Sequence, residues 1–298
     1  MSKYNVTVGI PMVREPLSQI ELAVRSVYAQ TFADWELVFF ADGSPEEHID
    51  LLRRIDDPRV RIIVNESSQG IASSLNRLAD IADGKYIAIL AADDMWTPQR
   101  LAIQVARLEE DDAPDVLAAQ MVIISDDETV EGAQKPARIP DNARGWVEGT
   151  PISHATAMAR SEWFRSHPYD ESLIRAQDRA FWITAHRGSV IEILEEPVYY
   201  YRVPKPTSYR KYAWSSKFAR RVIWKYGRTV LPTPAVVEIY ARSIAKQMVT
   251  AAVAVFGGSE RLYQRRIDPI SEEQERAHLG TLAAIRATPV PGWDSRAT

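Results

Sequence analysis

Three aspartates stand where strand-like runs end, a position in which carboxylates can act together on one ligand. Asp42 closes the run Phe39-Phe40-Ala41-Asp42-Gly43-Ser44, and Asp93-Asp94 follow Ile89-Leu90-Ala91-Ala92. Taken singly, Asp42-Gly43-Ser44 reads as a turn, and acids ahead of a helix starting at Pro98 suit the helix dipole. In an open α/β sheet, ligands bind outside the carboxyl ends of the strands, so the joint placement points to one acid-lined crevice. Mg²⁺ or Mn²⁺ is held by one or two carboxylates together with a substrate's phosphates, and neutralises charge on a departing diphosphate. Asp42 could instead accept hydrogen bonds from a base or ribose. His154 in the run Ser153-His154-Ala155-Thr156 reads equally as a core or a site histidine. Arg202, with Lys205 and Arg210 in an expected loop, could close over a diphosphate by charge-assisted hydrogen bonds or simply be solvated. Trp146, Trp163 and Trp182 could stack on a sugar, though packing is the ordinary use of such rings.

The elements that must position these residues follow from hydrophobic period. Strands are expected over 6–10, 36–40, 60–64 and 86–90, alternating with helices over 18–29, 46–55, 71–81 and 98–110. Ser18 is the expected cap of the first helix, with Glu21 three positions on. This is the pattern of an α/β fold around a mainly parallel sheet. A strand over 116–124 precedes an acidic stretch over 125–149 with no clear period, read as a long loop or flap. Helical patterning returns near 161–164 and 178–186, then strand-like runs at 190–194 and 199–201. Pro204 and Pro206 mark a boundary, which divides the chain into 1–206 and 207–298. Beyond it the pattern is helical and basic over 212–226 and apolar over 236–256, and after Thr288 a loose tail is expected. The C-terminal helices could pack on the first domain, pair two copies as a homodimer, or lie on an anionic membrane surface.

Composition narrows the function classes. With 298 residues, 46% hydrophobic and 26% charged, the chain can bury a large core, and its formal net charge of -4 gives no general attraction to nucleic acid. It has no cysteine, so neither disulfides nor thiolate metal sites enter. The first eight residues do not read as a secretory signal and no run is long enough to span a bilayer, so a soluble cytoplasmic protein, at most peripheral to the membrane, is expected. A dinucleotide-dependent dehydrogenase is disfavoured because Gly9-Ile10-Pro11-Met12 lacks the further glycines of that fingerprint, and a sugar nucleotidyltransferase would want a glycine-rich phosphate loop there.

The order Val8-Gly9-Ile10-Pro11, Ser26-Val27-Tyr28-Ala29-Gln30-Thr31-Phe32, Trp35-Glu36-Leu37-Val38, Asp42-Gly43-Ser44, Asn76 and Gly84-Lys85-Tyr86-Ile87-Ala88 through Asp93-Asp94 resembles the family 2 glycosyltransferases. The likeness continues through Pro98, Arg100-Leu101, Gln104, Ser153-His154 and Gln177-Asp178-Arg179-Ala180-Phe181-Trp182, so it runs from about Val6 to Arg202. It implies a GT-A fold, a three-layer α/β/α domain over 1–206 that binds a nucleoside diphosphate sugar, with a C-terminal helical extension over 207–298. It also implies an inverting, hexosyltransferase-like enzyme with a hydroxyl acceptor. Asp178 then matches the general base, a role compatible with capping a helix. Asp93 matches the last acid of the metal motif, with Asp94 beside it for Mn²⁺ or Mg²⁺, and Asp42 the nucleotide-contacting acid. Pro11, Asn76, His154 and Arg202 complete the donor set. The sequence departs from the family pattern at Ala41 and Ala91, where acids are usual, at Val13, where an aromatic is usual, and at Gln177, where glutamate is usual. A non-catalytic or metal-weak sugar-nucleotide-binding protein is therefore the alternative reading.

Overall fold

Side chains that alternate between two faces build the centre of the sheet. Val6, Val8, Ile10 and Met12 of β1 (Tyr4–Met12) face one core, while β2 (Trp35–Asp42) sends Leu37 and Phe39 to that core and Val38 and Phe40 to the opposite one. Both strands are almost entirely buried, as strands covered on two faces must be. The computed structural model describes residues 2–203, 209–255 and 267–294. Pro204, Lys205 and Pro206 at the expected boundary, and Phe256 at the end of the last apolar helix, lie outside the described residues.

With β3 (Val60–Asn65) and β4 (Gly84–Ile89), β1 and β2 form a parallel block ordered β3-β2-β1-β4. The crossovers are α1 (Leu17–Tyr28), α2 (Glu46–Arg53) and α3 (Ile71–Ile81). Because strand order reverses on the way to β4, the right-handed crossover rule puts α3 on the face opposite α1 and α2. The cores bear this out: Ile20, Val24 and Leu52 pack with one side of β1, and Leu75, Leu78 and Ala79 with the other side of the sheet. The reversal between β1 and β4 is where an open sheet leaves a crevice.

Beyond β4 the sheet becomes mixed. The short β8 (Met158–Arg160) runs antiparallel between β4 and β6 (Val116–Ile124), and β9 (Ile191–Arg202) pairs parallel with β6 and antiparallel with β5 (Met95–Trp96). α4 (Arg100–Leu108) joins the α1 face, while α5 (Ala143–Glu148), α6 (Ser161–Ser166) and α7 (Gln177–Ala185) cover the α3 face. The expected three-layer α/β/α order and the C-terminal helices are therefore present. α8 (Tyr209–Val230) and α9 (Thr233–Val255) pack on α5 and α7 through Val222, Ile223, Val236 and Ile239.

Some local expectations are corrected. The stretch over 125–149 is not one irregular flap: it holds β7 (Val130–Gln134) and α5, and β7 pairs with β10 (Ile267–Asp268) from far along the chain. A strand whose partner is so distant leaves no local period to read. The two runs at 190–194 and 199–201 are one strand, β9, interrupted by register shifts. Pro16 rather than Ser18 precedes the first turn of α1.

The C-terminal tail is anchored rather than loose. After α10 (Glu272–Ala287), Val290 is buried, the Asp56 amide donates to Pro291 O at 3.0 Å, and Trp293 Nε1 donates to Leu51 O at 2.8 Å. Asp294 pairs with Arg25 at 3.0 Å. Gly292 makes this docking feasible: its φ is +85°, and a Cβ there would lie 1.8 Å from Arg54 O. We expect Gly292→Ala to undock the tail and to lower the unfolding free energy by about 3 kcal/mol, the worth of one large buried side chain and its hydrogen bonds. Urea denaturation checks this, and an unchanged midpoint would show that the tail does not brace the body.

Candidate active site

The carboxyl ends of the parallel strands hold the first acid. Asp42 ends β2 opposite Asn65, the last residue of β3, with Pro11 and Met12 alongside at the end of β1. Its carboxylate is almost fully buried and accepts four hydrogen bonds: Asn65 Nδ2 at 2.9 Å, Ser68 Oγ at 2.7 Å, and the Gln69 and Gly70 amides at 2.8 Å each. Burial alone would raise the pKa of Asp42, but these donors outweigh it and hold the carboxyl below its ordinary value. The acid thus ties the loop between β3 and α3 to the sheet edge. Gly43 beside it has φ +70°, and a Cβ there would stand 2.9 Å from the Ser68 amide.

The second acidic pair splits into two roles. Asp93 is half-buried beyond β4, whereas Asp94 is buried, with Tyr199 Oη donating to its Oδ2 at 2.8 Å and the Arg202 amide to its Oδ1 at 2.7 Å. Burial, then repulsion from Asp93, pushes the Asp94 carboxyl well above the usual range. Arg202 ends β9 instead of lying in a loop. Its guanidinium is buried, donating to Asp93 O at 2.8 Å, Ser125 O at 3.0 Å and Asp126 O at 2.7 Å. Among the described residues no group of three or more His, Cys, Asp or Glu could hold a metal ion. The half-buried carboxylate of Asp93 is compatible with a hard cation only where a ligand's phosphates and water supply the remaining oxygens.

Asp178 lies in the first turn of α7, on a cavity whose lining does not include Pro11, Asp42, Asn76, Asp93, His154 or Arg202. Ala176 before it takes the left-handed conformation, φ 58°, which sets the direction in which the helix leaves the loop. Asp178 and the residues from Ile174 to Arg179 line a cavity of about 1090 Å³, roofed by α8 and α9. His154 opens a short 3-10 turn, His154–Thr156, and its Nε2 lies 2.7 Å from Tyr169 Oη. The imidazole is wedged against Phe181 and Trp182, and burial lowers its pKa to about 4 despite the opposing pull of Asp178, so it is neutral at pH 7. The same charge, after burial, helps push the Tyr169 phenol up. Asn76 does not open onto the cavity. It accepts from the Tyr169 amide at 2.8 Å and donates to Tyr169 O at 3.1 Å, which fixes the segment carrying that phenol. Trp146, Trp163 and Trp182 are packing rings in one aromatic cluster with His154 and Phe181. Among the described residues, His154 Nδ1, Gln177 Oε1 and Arg179 Nε are buried polar atoms without a hydrogen-bond partner.

With this geometry in place, the comparison with known proteins is decisive at the family level. The profile described as glycosyl transferase family 2 matches residues 7–167. The chain belongs to that family. The glycosyltransferase is 29% identical over 235 residues to an uncharacterized glycosyltransferase of Methanocaldococcus jannaschii, covering 76% of this chain and 81% of that protein. A mannosyltransferase from Pyrobaculum calidifontis, solved in complex with GDP-Man and Mn²⁺, superposes with a TM-score of 0.58 at 18% identity, covering 96% of this chain and 87% of that one. S. aureus TarS 1-349, solved in complex with UDP-GlcNAc, superposes at 0.57 with 15% identity, covering 96% and 82%. These likenesses show the GT-A fold. Asp178 and Arg202 lie beyond the segment that the family profile matches.

Sequence reading missed Tyr199 and Tyr169 as parts of the site. Tyr199 was visible as one ring of an aromatic run, but its partner Asp94 is 105 residues away. The loop from Asn65 to Gly70 was likewise visible only as turn-forming residues. For Asp42 the expected outcome is concrete. Asp42→Asn removes the second acceptor oxygen and should cost about 3 kcal/mol, the loss of two charge-assisted hydrogen bonds. Because the folded pKa of Asp42 lies below the ordinary 3.8, its contribution is complete above that value and disappears as pH falls through the folded one. The stability gap between native chain and variant, followed by urea denaturation, should therefore narrow below about pH 4. A gap that persists into strong acid would show that the charge is not what holds the loop.

Proposed function

We propose that this glycosyltransferase moves a sugar from a nucleoside diphosphate sugar to an acceptor hydroxyl with inversion at the anomeric carbon, Asp178 serving as general base. The observation that carries the reading is Asp178 in the first turn of α7, on the wall of the 1090 Å³ cavity and close to buried polar atoms that lack partners. In the step, the acceptor hydroxyl gives its proton to the Asp178 carboxylate as its oxygen bonds to the anomeric carbon. The bond from that carbon to the donor phosphate breaks, and its electron pair leaves on the nucleoside diphosphate. Attack opposite the leaving group inverts the centre.

The ends of β1 and β2, with Pro11 and Asp42, and the segment after β4, with Asp93, form the donor side. His154, neutral and bonded to Tyr169 Oη, serves the donor at one remove by orienting that phenol. Asn76 and Arg202 serve the donor at one remove, by holding Tyr169 and the Asp93 backbone. Asp93 would hold Mn²⁺ or Mg²⁺ together with the donor's phosphates, since the oxygens of Asp94 are engaged within the protein. Such a cation, when bound, neutralises charge developing on the diphosphate. The nucleotide sugars in the two solved relatives, and Mn²⁺ in one, support this choice of donor and ion. The same reading assigns residues 1–206 to donor binding and catalysis and 207–298 to a helical extension whose α8 and α9 cover the acceptor cavity.

Asp178→Asn should keep the thermal shift produced by nucleoside diphosphates while lowering kcat about 10²–10⁴-fold, the usual contribution of a general base. Near-native turnover in this variant would overturn the assignment, and absence of turnover in the native chain with every sugar nucleotide tried would favour the non-catalytic binding protein. Asp93→Ala should abolish the tightening that Mn²⁺ confers on nucleoside diphosphate binding in titration calorimetry. Equal Mn²⁺ dependence in native and variant chains would remove Asp93 from the metal role.

A further inference from the structure

Helix α8 carries seven Lys and Arg and no acid, in a chain whose formal net charge is -4. Its inner side, with Phe218, Val222 and Ile223, is buried. Its outer side presents Trp214, Lys217, Arg221, Trp224 and Arg228, all exposed, at spacings of three and four that make one stripe. The two indoles keep 45% and 41% of their surface in solvent, an unusual expenditure of tryptophan for a helix facing only water. The Arg228 guanidinium lies 4.6 Å from the centre of the Trp224 ring.

The neighbouring helix extends this face. Val237, Ala241, Ile244 and Met248 of α9 follow one another at spacings of four, three and four, with Ile244 42% and Met248 67% exposed. A groove of about 740 Å³ joins the two helices, lined by Arg221, Trp224 and Lys225 on one side and Val237, Tyr240 and Ile244 on the other. The stripe begins at the Asp178 cavity, where the guanidinium of Arg175, a lining residue, stacks 4.0 Å from the ring centre of Trp214. No helix among the described residues is long and apolar enough to cross a membrane.

Exposed indoles interleaved with cations, beside an aliphatic strip, match the boundary of an anionic bilayer. Indole rings settle at headgroup level, Lys and Arg meet lipid phosphates, and aliphatic side chains enter the acyl edge. A second copy fits less well, because a two-fold interface through this face would set the cations of α8 against their own counterparts. We propose that the outer face of the α8–α9 hairpin docks this glycosyltransferase peripherally on an anionic bilayer surface. Trp214 and Trp224 lie at headgroup level, and Lys217, Arg221 and Arg228 contact lipid phosphates. Because the whole chain is acidic, the attraction is local to this hairpin.

The test is co-sedimentation of the full chain with vesicles of phosphatidylcholine alone and of phosphatidylcholine with about a quarter phosphatidylglycerol, at low and high salt. The expected result is salt-sensitive binding to the anionic vesicles only. The double variant K217E/R221E should bind at least about thirtyfold more weakly, since each cation near such a surface contributes about fivefold. W214S/W224S should weaken binding as well, and K217E/R221E should melt at the native temperature, since Lys217 and Arg221 are exposed. Failure to pellet, equal pelleting on neutral vesicles, or undiminished binding by both variants would overturn the proposal. So would a concentration-dependent dimer in sedimentation velocity that the same substitutions dissolve, which would give this face to a second copy.

Discussion

A buried carboxylate in the turn after β4, that of Asp94, constrains how β9 meets the carboxyl edge of the sheet. Taking Asp94 out of water is costly unless hydrogen bonds replace its hydration, and both donors come from β9: the Tyr199 phenol and the Arg202 amide. The end of β9 must therefore reach the turn after β4, which is where the pairing of β5 with β9 sets Met95 opposite Tyr200. Arg202 then gathers the carbonyls of Asp93, Ser125 and Asp126, so the turn after β4 and the end of β6 are held by one side chain. Asp93, next in sequence to the buried acid, is presented at the sheet edge as a consequence.

The same economy recurs at Asp42 and at Asn76. Asp42 spends its carboxylate on the loop between β3 and α3, and Asn76 spends its amide on the backbone of Tyr169. Polar groups that a motif-level reading gives to the donor are thus largely consumed in positioning, which is how a site on loops gains the rigidity of the scaffold beneath it. At the Asp178 cavity the carboxylate itself stays half-buried and open to it. Ala41 and Ala91 fit this picture: the sheet edge offers fewer carboxylates than the family pattern, and those present are held firmly.

The C-terminal residues contribute two unlike structures. α8 and α9 bury their inner faces on α5 and α7 and roof the cavity, leaving a basic and aromatic outer face. α10 and the tail instead return to the first half of the molecule, with Leu282 and Ile285 in a core shared with β6, β7 and β9, and Trp293 bonded to the end of α2. Residues late in the chain are therefore part of the main sheet's support through β10, α10 and the tail.

The sequence by itself determined the parallel half of the sheet and the strand ends near which its acids fall. Short apolar, β-rich runs announce β1, β2 and β4, and an acid at or beyond the end of such a run falls toward the carboxyl end of a strand, as Asp42 does at the end of β2 and Asp93 does in the segment after β4. The helices α3 and α7 were legible for the same reason, since their apolar residues recur at helical spacing within a short window. Only the tertiary structure decided which acids are spent inside the fold. Asp94 and Asp93 are neighbours of one residue type, and what separates them is contact with Tyr199 and Arg202, more than a hundred residues away. The pairing of β7 with β10, the anchoring of the tail at Gly292 and the role of Asn76 share that origin. A residue's type fixes how many hydrogen bonds it can make, whereas its partners are set by chain segments that local sequence does not contain.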